Sequence, residues 1–259
     1  RQSALEITLL PALLADLVIP AGDCPGVDAP ISVEADGLLL LGHSMGATIA
    51  PLVIALADEF DGVVLSGAGG SWIQNVVHKQ SPLPVRPLAD GIVGYVAGER
   101  TLTEFDPLLT LLQWAGESAD PPVYALDVGA LADAPVEVFM VQGIVDTYIL
   151  PPMANALSLA YGLDRVGGPR DEEDPRLDAY LSFLDVAPFA QRPPSELPYP
   201  ASGNRSGRTG ILVQYPQDPI EDGHEVFFQR DEPKAQLACF LRTRLLGAAV
   251  VVDPALTCP

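Results

Sequence analysis

The chain has 259 residues and a formal net charge of −20, from 34 acidic and 14 basic side chains. Nucleic-acid binding requires a basic surface that neutralises phosphates, so this balance excludes that class of partner and disfavours anionic membranes. Hydrophobic residues make up 48% of the chain and charged residues 19%, which predicts a folded chain with a sizeable core. No apolar run approaches the roughly 18 residues of a membrane-spanning helix, so we expect no transmembrane segment.

The first residues indicate a helix followed by a loop. Leucines at helical spacing over residues 4–18 predict an amphipathic helix, and residues 22–30 are rich in Gly and Pro. This start is unlike a signal peptide, because Glu6 and Asp16 interrupt the apolar stretch. Since Arg1 stands where an initiator Met would, we expect the chain to be a fragment or a processed product.

Short apolar runs predict the strands of a mostly parallel open sheet flanked by helices. The runs are residues 38–41, 63–65, 136–141 and 210–214. Helices are predicted after the first run, over residues 47–57, and after the last, over residues 233–246. Strands that alternate with helices or long connections indicate an α/β fold. We expect one domain over residues 1–259, because no clean linker separates two units.

Two long segments interrupt this alternation. Residues 71–134 contain Trp72, Trp114 and several leucines, and they predict a helical cap or lid insertion. The two tryptophans are candidate substrate-pocket residues, although a cap that merely packs on the sheet is the alternative. Residues 164–208 are rich in Pro, Gly and acidic residues and predict a long excursion with a short helix at 177–185.

Acidic residues are most concentrated at residues 171–174 and again around residues 221–225. We interpret them as a solvated surface that keeps the protein soluble, with a halophilic or calcium-rich setting as the alternative. Three cysteines are too few for a disulfide scaffold. We expect one bridge between Cys239 and Cys258, because it would tether the end of the chain, and the alternative is three free thiols.

The sequence Gly42-His43-Ser44-Met45-Gly46 lies between the first predicted strand and its helix. A G-x-S-x-G motif in that context is typical of a nucleophile elbow, a strained turn that projects the serine toward the substrate. Glycines are expected at both ends of the motif, because the turn brings these positions close together. The helix start offers backbone N–H groups to a developing oxyanion, and Met45 N–H is the expected donor.

The motif and its context resemble the serine esterase and lipase branch of the α/β-hydrolase superfamily, whose elbow often reads Gly-His-Ser-Met-Gly. The resemblance covers roughly residues 1–250 and implies a triad in the chain order Ser, Asp or Glu, His. It also implies a second oxyanion donor on a loop after an early strand. No such strand is predicted before residue 38, so we expect early strands to be missing from this chain and the oxyanion site to be half formed.

The base must be one of three histidines. His43 is expected to point away from Ser44 by turn geometry, as a packing, hydrogen-bonding or substrate-pocket residue. His78 lies in the 71–134 insertion, where it could face solvent or substrate. His224 follows the last predicted strand and precedes the last helix, where the resemblance places the catalytic base.

The acid is expected on the loop after the strand at residues 136–141. Asp146 lies there, before the probable helix that Pro151 and Pro152 open. The competing residues lie before that strand or after that helix; they are Asp127, Asp133 and Asp164. Asp146 would accept a hydrogen bond from the imidazole and fix its tautomer.

These residues predict a serine hydrolase that cleaves carboxylic esters, acyl or lipid-like, through an acyl-enzyme. Ser44 would attack the carbonyl, His224 would transfer the proton, and Asp146 would orient His224. The alternatives are an acyltransferase or peptidase with the same triad, or a non-catalytic binding member of the fold. We expect no cofactor, and no Cys/His cluster has zinc spacing. The few lysines, the acidic charge and the expected disulfide favour a secreted or periplasmic bacterial protein, with a cytoplasmic one as the alternative.

Overall fold

The computed structural model describes residues 1–35, 37–97, 102–133, 135–168, 170, 194–217 and 222–259. Its strands are β1 (Val18–Ile19), β2 (Ile31–Ser32), β3 (Leu38–His43), β4 (Phe60–Ser66), β5 (Glu137–Ile144), β6 (Asp164–Val166), β7 (Glu196–Leu197) and β8 (Gly210–Pro216). Six of these form one sheet in the order β3-β4-β5-β8-β6-β7. Every neighbouring pair in this sheet is parallel, which confirms the predicted parallel α/β sheet.

The helices are α1 (Gln2–Ile7), α2 (Leu10–Ala15), α3 (Met45–Ile54), α4 (Trp72–His78), α5 (Val85–Ala97), α6 (Pro107–Gly116), α7 (Pro121–Val128), α8 (Pro151–Tyr161), α9 (Val226–Gln229) and α10 (Asp231–Leu245). The single helix expected over residues 4–18 is wrong, because the chain forms α1 and α2 instead. Pro11 lies in the first turn of α2, where its missing N–H costs nothing. One continuous helix would place Pro11 in its interior, where the ring clashes with the preceding turn.

The middle of the sheet is covered on both faces, which explains its unbroken apolar sequence. Every residue of β5 is buried. Its alternate side chains point in opposite directions: Val138 and Met140 join a core cluster shared with α3 and α8. Phe139 and Val141 join a second cluster, which includes Phe240 of α10. Helices therefore flank the sheet on both sides.

The segment between β4 and β5 is helical, as expected for residues 71–134, and contains α4 to α7. It has an apolar cluster of its own, formed by Ile73, Val76, Val93, Leu102 and Leu109. Asp120, just before α7, ties the two ends of this segment's helices together, because its Oδ1 accepts a hydrogen bond from Ser71 N, just before α4, at 2.8 Å. The helix expected at 177–185 and the acidic run at 171–174 lie outside the described residues.

Two short strands, β1 and β2, precede residue 38, where none was expected. They pair only with each other, as an antiparallel two-stranded sheet, so β3 is an edge strand of the main sheet within the described residues. The expected disulfide between Cys239 and Cys258 is confirmed, and it ties the C-terminal segment to α10. In the part of the chain that the structure describes, no helix is long and apolar enough to cross a membrane.

Candidate active site

Side chains from three loops meet at the carboxyl edge of the sheet. Ser44 follows β3, Asp146 follows β5, and His224 lies after β8. Parallel strands bring their carboxyl ends to one edge, which is where open α/β sheets bind ligands. His224 Nε2 lies 2.8 Å from Ser44 Oγ, and His224 Nδ1 lies 2.9 Å from Asp146 Oδ2. The structure therefore joins the three predicted residues in one hydrogen-bonded chain.

Ser44 occupies a strained turn between β3 and α3. Its φ of 55° and ψ of −120° lie in a region that residues with a side chain rarely adopt. The turn is fastened on both sides, because Ser44 N donates to Ser66 O at 2.9 Å and Thr48 N donates to Ser44 O at 3.0 Å. The backbone bonds therefore hold Ser44 Oγ toward His224.

The two glycines of the elbow have different roles. A Cβ on Gly42 would lie 2.7 Å from the backbone carbon and oxygen of Gly46, so position 42 admits no side chain without a shift of the turn. A Cβ on Gly46 would meet no atom within 4 Å. The expectation of a small residue therefore holds strictly at Gly42, whereas at Gly46 the turn leaves room for at least a methyl group.

Gly42→Ala is expected to damage both folding and the site, whereas Gly46→Ala is its matched control. Overpacking typically costs about 1–3 kcal/mol of unfolding free energy, and here the clash falls on the turn that carries Ser44. Gly46→Ala should raise the free energy of unfolding by roughly 0.5–1 kcal/mol, because alanine is a better helix former than glycine in α3. Urea unfolding of both variants checks this order, and equal stabilities would contradict it.

Asp146 is held by the loop that follows β5. Val145 has a φ of 64°, which turns the chain sharply at the end of the strand. Asp146 is 2% exposed, and its Oδ1 accepts hydrogen bonds from Tyr148 N at 2.8 Å and Ile149 N at 2.7 Å. Burial raises the pKa of Asp146, while the bonds from His224 and from these two backbone N–H groups lower it. The carboxylate thus has its other oxygen, Oδ2, directed at His224.

The loops that carry Asp146 and His224 pack backbone against backbone. A Cβ on Gly143 would lie 1.7 Å from Gly223 O, and a Cβ on Gly223 would lie 2.4 Å from Ile144 O. Only glycine permits this approach at either position. The contact between the two loops is visible only in the structure.

Asp222 links the same two loops through its carboxylate. Its oxygens accept from Thr147 Oγ1 at 2.6 Å, from Thr147 N at 3.1 Å and from His224 N at 2.9 Å. The sequence predicts Asp222 only as one of the acidic surface residues. The signal that could have identified it is its position two residues before His224, because an Asp there caps the following turn through its side chain.

His224 is 4% exposed and is surrounded on several sides. Tyr148 stacks on its ring with centroids 4.8 Å apart. A Cβ on Gly67, which has a φ of +54°, would lie 2.7 Å from His224 Cε1, so glycine is required beside the ring. Burial lowers the pKa of His224, but the hydrogen bond and charge of Asp146, with the charges of Glu225 and Asp222, outweigh it and raise the pKa above the ordinary value.

His43, a candidate pocket residue, lies beside the ring of His224. Their ring centroids are 4.9 Å apart, and Phe228 contacts the His43 ring edge-on at 4.7 Å. His43 Nδ1 lies 3.3 Å from Ser66 Oγ, and Nε2 lies 3.7 Å from a Glu225 carboxylate oxygen. Burial and the neighbouring His224 lower the pKa of His43, against the opposite effect of Glu225 and Asp146.

The two tryptophans of the 71–134 segment lie in different settings. Trp114 is 73% exposed and lines a cavity of about 810 Å³ between α6, α7 and α8. Trp72 does not line that cavity, and its Nε1 donates to Gly116 O at 3.0 Å. The residues that line the cavity include neither Ser44 nor His224. Of the two tryptophans, only Trp114 therefore lines this cavity, and it does so away from Ser44 and His224.

The competing acids and base occupy other positions. His78 ends α4 and is 6% exposed, and burial with the nearby Arg86 lowers its pKa to about 4. Asp127 lies in α7 and Asp133 shortly after it, before β5. Asp164 Oδ2, in β6, accepts from Asn204 Nδ2 at 2.7 Å. The partners of the two ring nitrogens of His224 are instead Ser44 Oγ and Asp146 Oδ2.

Met45 is the first residue of α3, so its N–H is one of the four N-terminal groups without an acceptor inside the helix. Its side chain is 75% exposed.

Comparison with known proteins gave no match, whether with protein-family models, with curated proteins or with solved structures. The site is therefore interpreted from its own geometry.

Proposed function

We propose that the protein is a serine hydrolase that cleaves carboxylic esters through an acyl-enzyme. The observation that carries this proposal is the continuous chain of hydrogen bonds from Ser44 Oγ through His224 to buried Asp146. A hydroxyl is a weak nucleophile near neutral pH and requires a base within hydrogen-bond distance. His224 Nε2 meets that requirement, and Asp146 fixes the tautomer in which Nε2 can accept a proton.

In the proposed reaction, Ser44 Oγ attacks the ester carbonyl while its proton passes to His224 Nε2. The tetrahedral intermediate collapses when His224 returns that proton to the departing alcohol, which leaves an acyl group on Ser44. Water, deprotonated by His224, then releases the acid and restores Ser44. Met45 N–H is the proposed oxyanion donor, because it lies directly after the nucleophile at the positive end of the α3 dipole.

The surroundings of the triad favour an ester with apolar groups. Tyr148 stacks on His224, and Phe228 contacts His43. These two rings and Met45 are partly open to solvent, at 38%, 50% and 75% exposure respectively. Exposed apolar side chains around a reactive group are typical of a binding site. An acyl or lipid-like ester is therefore the proposed substrate class.

Covalent labelling with a fluorophosphonate tests this proposal. The probe phosphonylates an activated serine, so we expect stoichiometric labelling that is lost in Ser44→Ala. Ser32→Ala removes an exposed hydroxyl in β2 and should leave the labelling unchanged. Absence of labelling in a folded wild-type sample would point to a non-catalytic member of the fold. Parallel assays with ester, thioester and peptide substrates then separate hydrolysis of esters from acyl transfer and peptide cleavage.

We also propose that the protein works in an oxidising compartment, either the bacterial periplasm or the extracellular medium. The support is the disulfide between Cys239 and Cys258, because such bonds persist mainly outside the reducing cytosol.

A further inference from the structure

A second imidazole and a carboxylate lie beside the base of the triad. One ligand atom from each of His43, His224 and Glu225 lies within 4.8 Å of the other two, and among the described residues this is the set of three that could hold a metal ion. Two His nitrogens with one carboxylate oxygen form a ligand set typical of zinc sites that keep a fourth position open. The three residues come from distant parts of the chain, the end of β3 and the turn after β8, so no metal motif is visible in the sequence.

The bonds around the two imidazoles indicate which nitrogen of each ring has a lone pair for a metal. Asp146 holds Nδ1 of His224, which leaves Nε2 with its lone pair toward Ser44. Ser66 Oγ lies next to Nδ1 of His43, while Nε2 faces Glu225 at 3.7 Å. In the tautomer that donates Nδ1–H to Ser66, Nε2 of His43 has a free lone pair. Such hydrogen bonds to the distal ring nitrogen are how proteins orient histidines that bind metals.

We propose that His43, His224 and Glu225 form an inhibitory zinc site. Zinc bonds of about 2.0–2.2 Å place tetrahedral ligand atoms about 3.3 Å apart, so separations of up to 4.8 Å must shorten by at most about 1.5 Å. Glu225 can supply part of this movement, because its side chain is 39% exposed. Water would occupy the fourth position.

Zinc at this site stops the proposed reaction by occupying its base. Coordination uses the lone pair of His224 Nε2 that otherwise accepts the proton of Ser44, so Ser44 Oγ loses its activation. The inhibition is reversible by a chelator, because no covalent bond forms. This consequence rests on the proposed function, whereas binding of the metal does not. Hard ions such as Mg²⁺ prefer oxygen ligands and should not bind here.

Calorimetric titration of the chelator-treated full chain with ZnCl₂ tests the site. We expect one tight site in the wild type, at least about tenfold weaker binding in Glu225→Gln and in His43→Gln, and retained binding in Ser44→Ala. Glu225 is partly exposed, so Glu225→Gln should fold even if His43→Gln does not. Equal zinc affinity in the wild type and Glu225→Gln, or no tight site in the wild type, would overturn the proposal.

Fluorophosphonate labelling of the same samples tests the inhibition. Zinc should slow labelling of the wild type over the range of concentration in which it binds, and excess chelator should restore the rate. The zinc concentration that halves the metal-free labelling rate should be at least about tenfold higher for Glu225→Gln than for the wild type. Tight binding with an unchanged labelling rate would overturn the inhibitory role. No labelling even without metal would overturn the proposed function, while calorimetry would still decide the zinc site.

Discussion

Replacing His224 by Ala is expected to lower kcat for a short-chain p-nitrophenyl ester by about 10⁶-fold. Loss of either the nucleophile or the base of a Ser-His-Asp triad has an effect of this order, because neither residue works without the other. His224 Nε2 is the one recorded side-chain partner of Ser44 Oγ among the described residues. The remaining rate would come from binding and from the oxyanion donor.

The pair Ser44 and His224 should act as one unit. The double variant Ser44→Ala/His224→Ala is therefore expected to lose about as much activity as either single variant. The control is His78→Gln, which alters the competing histidine at the end of α4 and should leave kcat per folded molecule unchanged. Steady-state assays on samples matched by circular dichroism measure this, and multiplicative losses in the double variant would contradict a shared step.

Asp146→Asn is expected to lower kcat by about 10⁴-fold and to shift the pH profile. An amide at this position favours the wrong tautomer of His224 and removes the charge that stabilises the imidazolium. In the wild type, the raised pKa of His224 places the half-maximal kcat/KM above the value for an ordinary histidine of about 6.5. The rate should fall as the pH drops below this midpoint, because protonated His224 cannot accept the proton of Ser44.

The direction of the shift in Asp146→Asn follows from what remains around His224. Burial, which lowers its pKa, is retained, while the hydrogen bond and charge of Asp146 are lost. The midpoint should therefore move to lower pH than in the wild type. Profiles of kcat/KM against pH, recorded with a chelator present, measure this midpoint. The matched control is Asp164→Asn, which makes the same change in β6. A midpoint that stays or rises would contradict the role of Asp146.

Much of the fold was predictable because buried parallel strands have a simple sequence signature. The residues Val138 to Val141 of β5 are apolar without alternation, since both faces of the sheet are covered there. The run Leu38 to Leu41 has the same pattern, although β3 lies at the edge of the sheet and Leu41 is 48% exposed. For most strands, the predicted and the observed boundaries differ by a few residues. The prediction of a single N-terminal helix was wrong. It followed the helical spacing of the leucines and neglected Pro11, whose ring prevents one continuous helix.

The sequence by itself determined the elbow, because a strained turn between a strand and a helix constrains local residue types. The order of Ser44, Asp146 and His224 was predicted from the resemblance of this motif to serine esterases and lipases. Only the tertiary structure decided which side chains surround them. Asp222 fastening the two loops, Tyr148 stacking on His224 and Glu225 facing His43 all depend on contacts between separate loops. The close approach of Gly143 to Gly223 is of the same kind. Such contacts leave no periodic or spaced pattern in the chain, since they join residues that are distant in sequence.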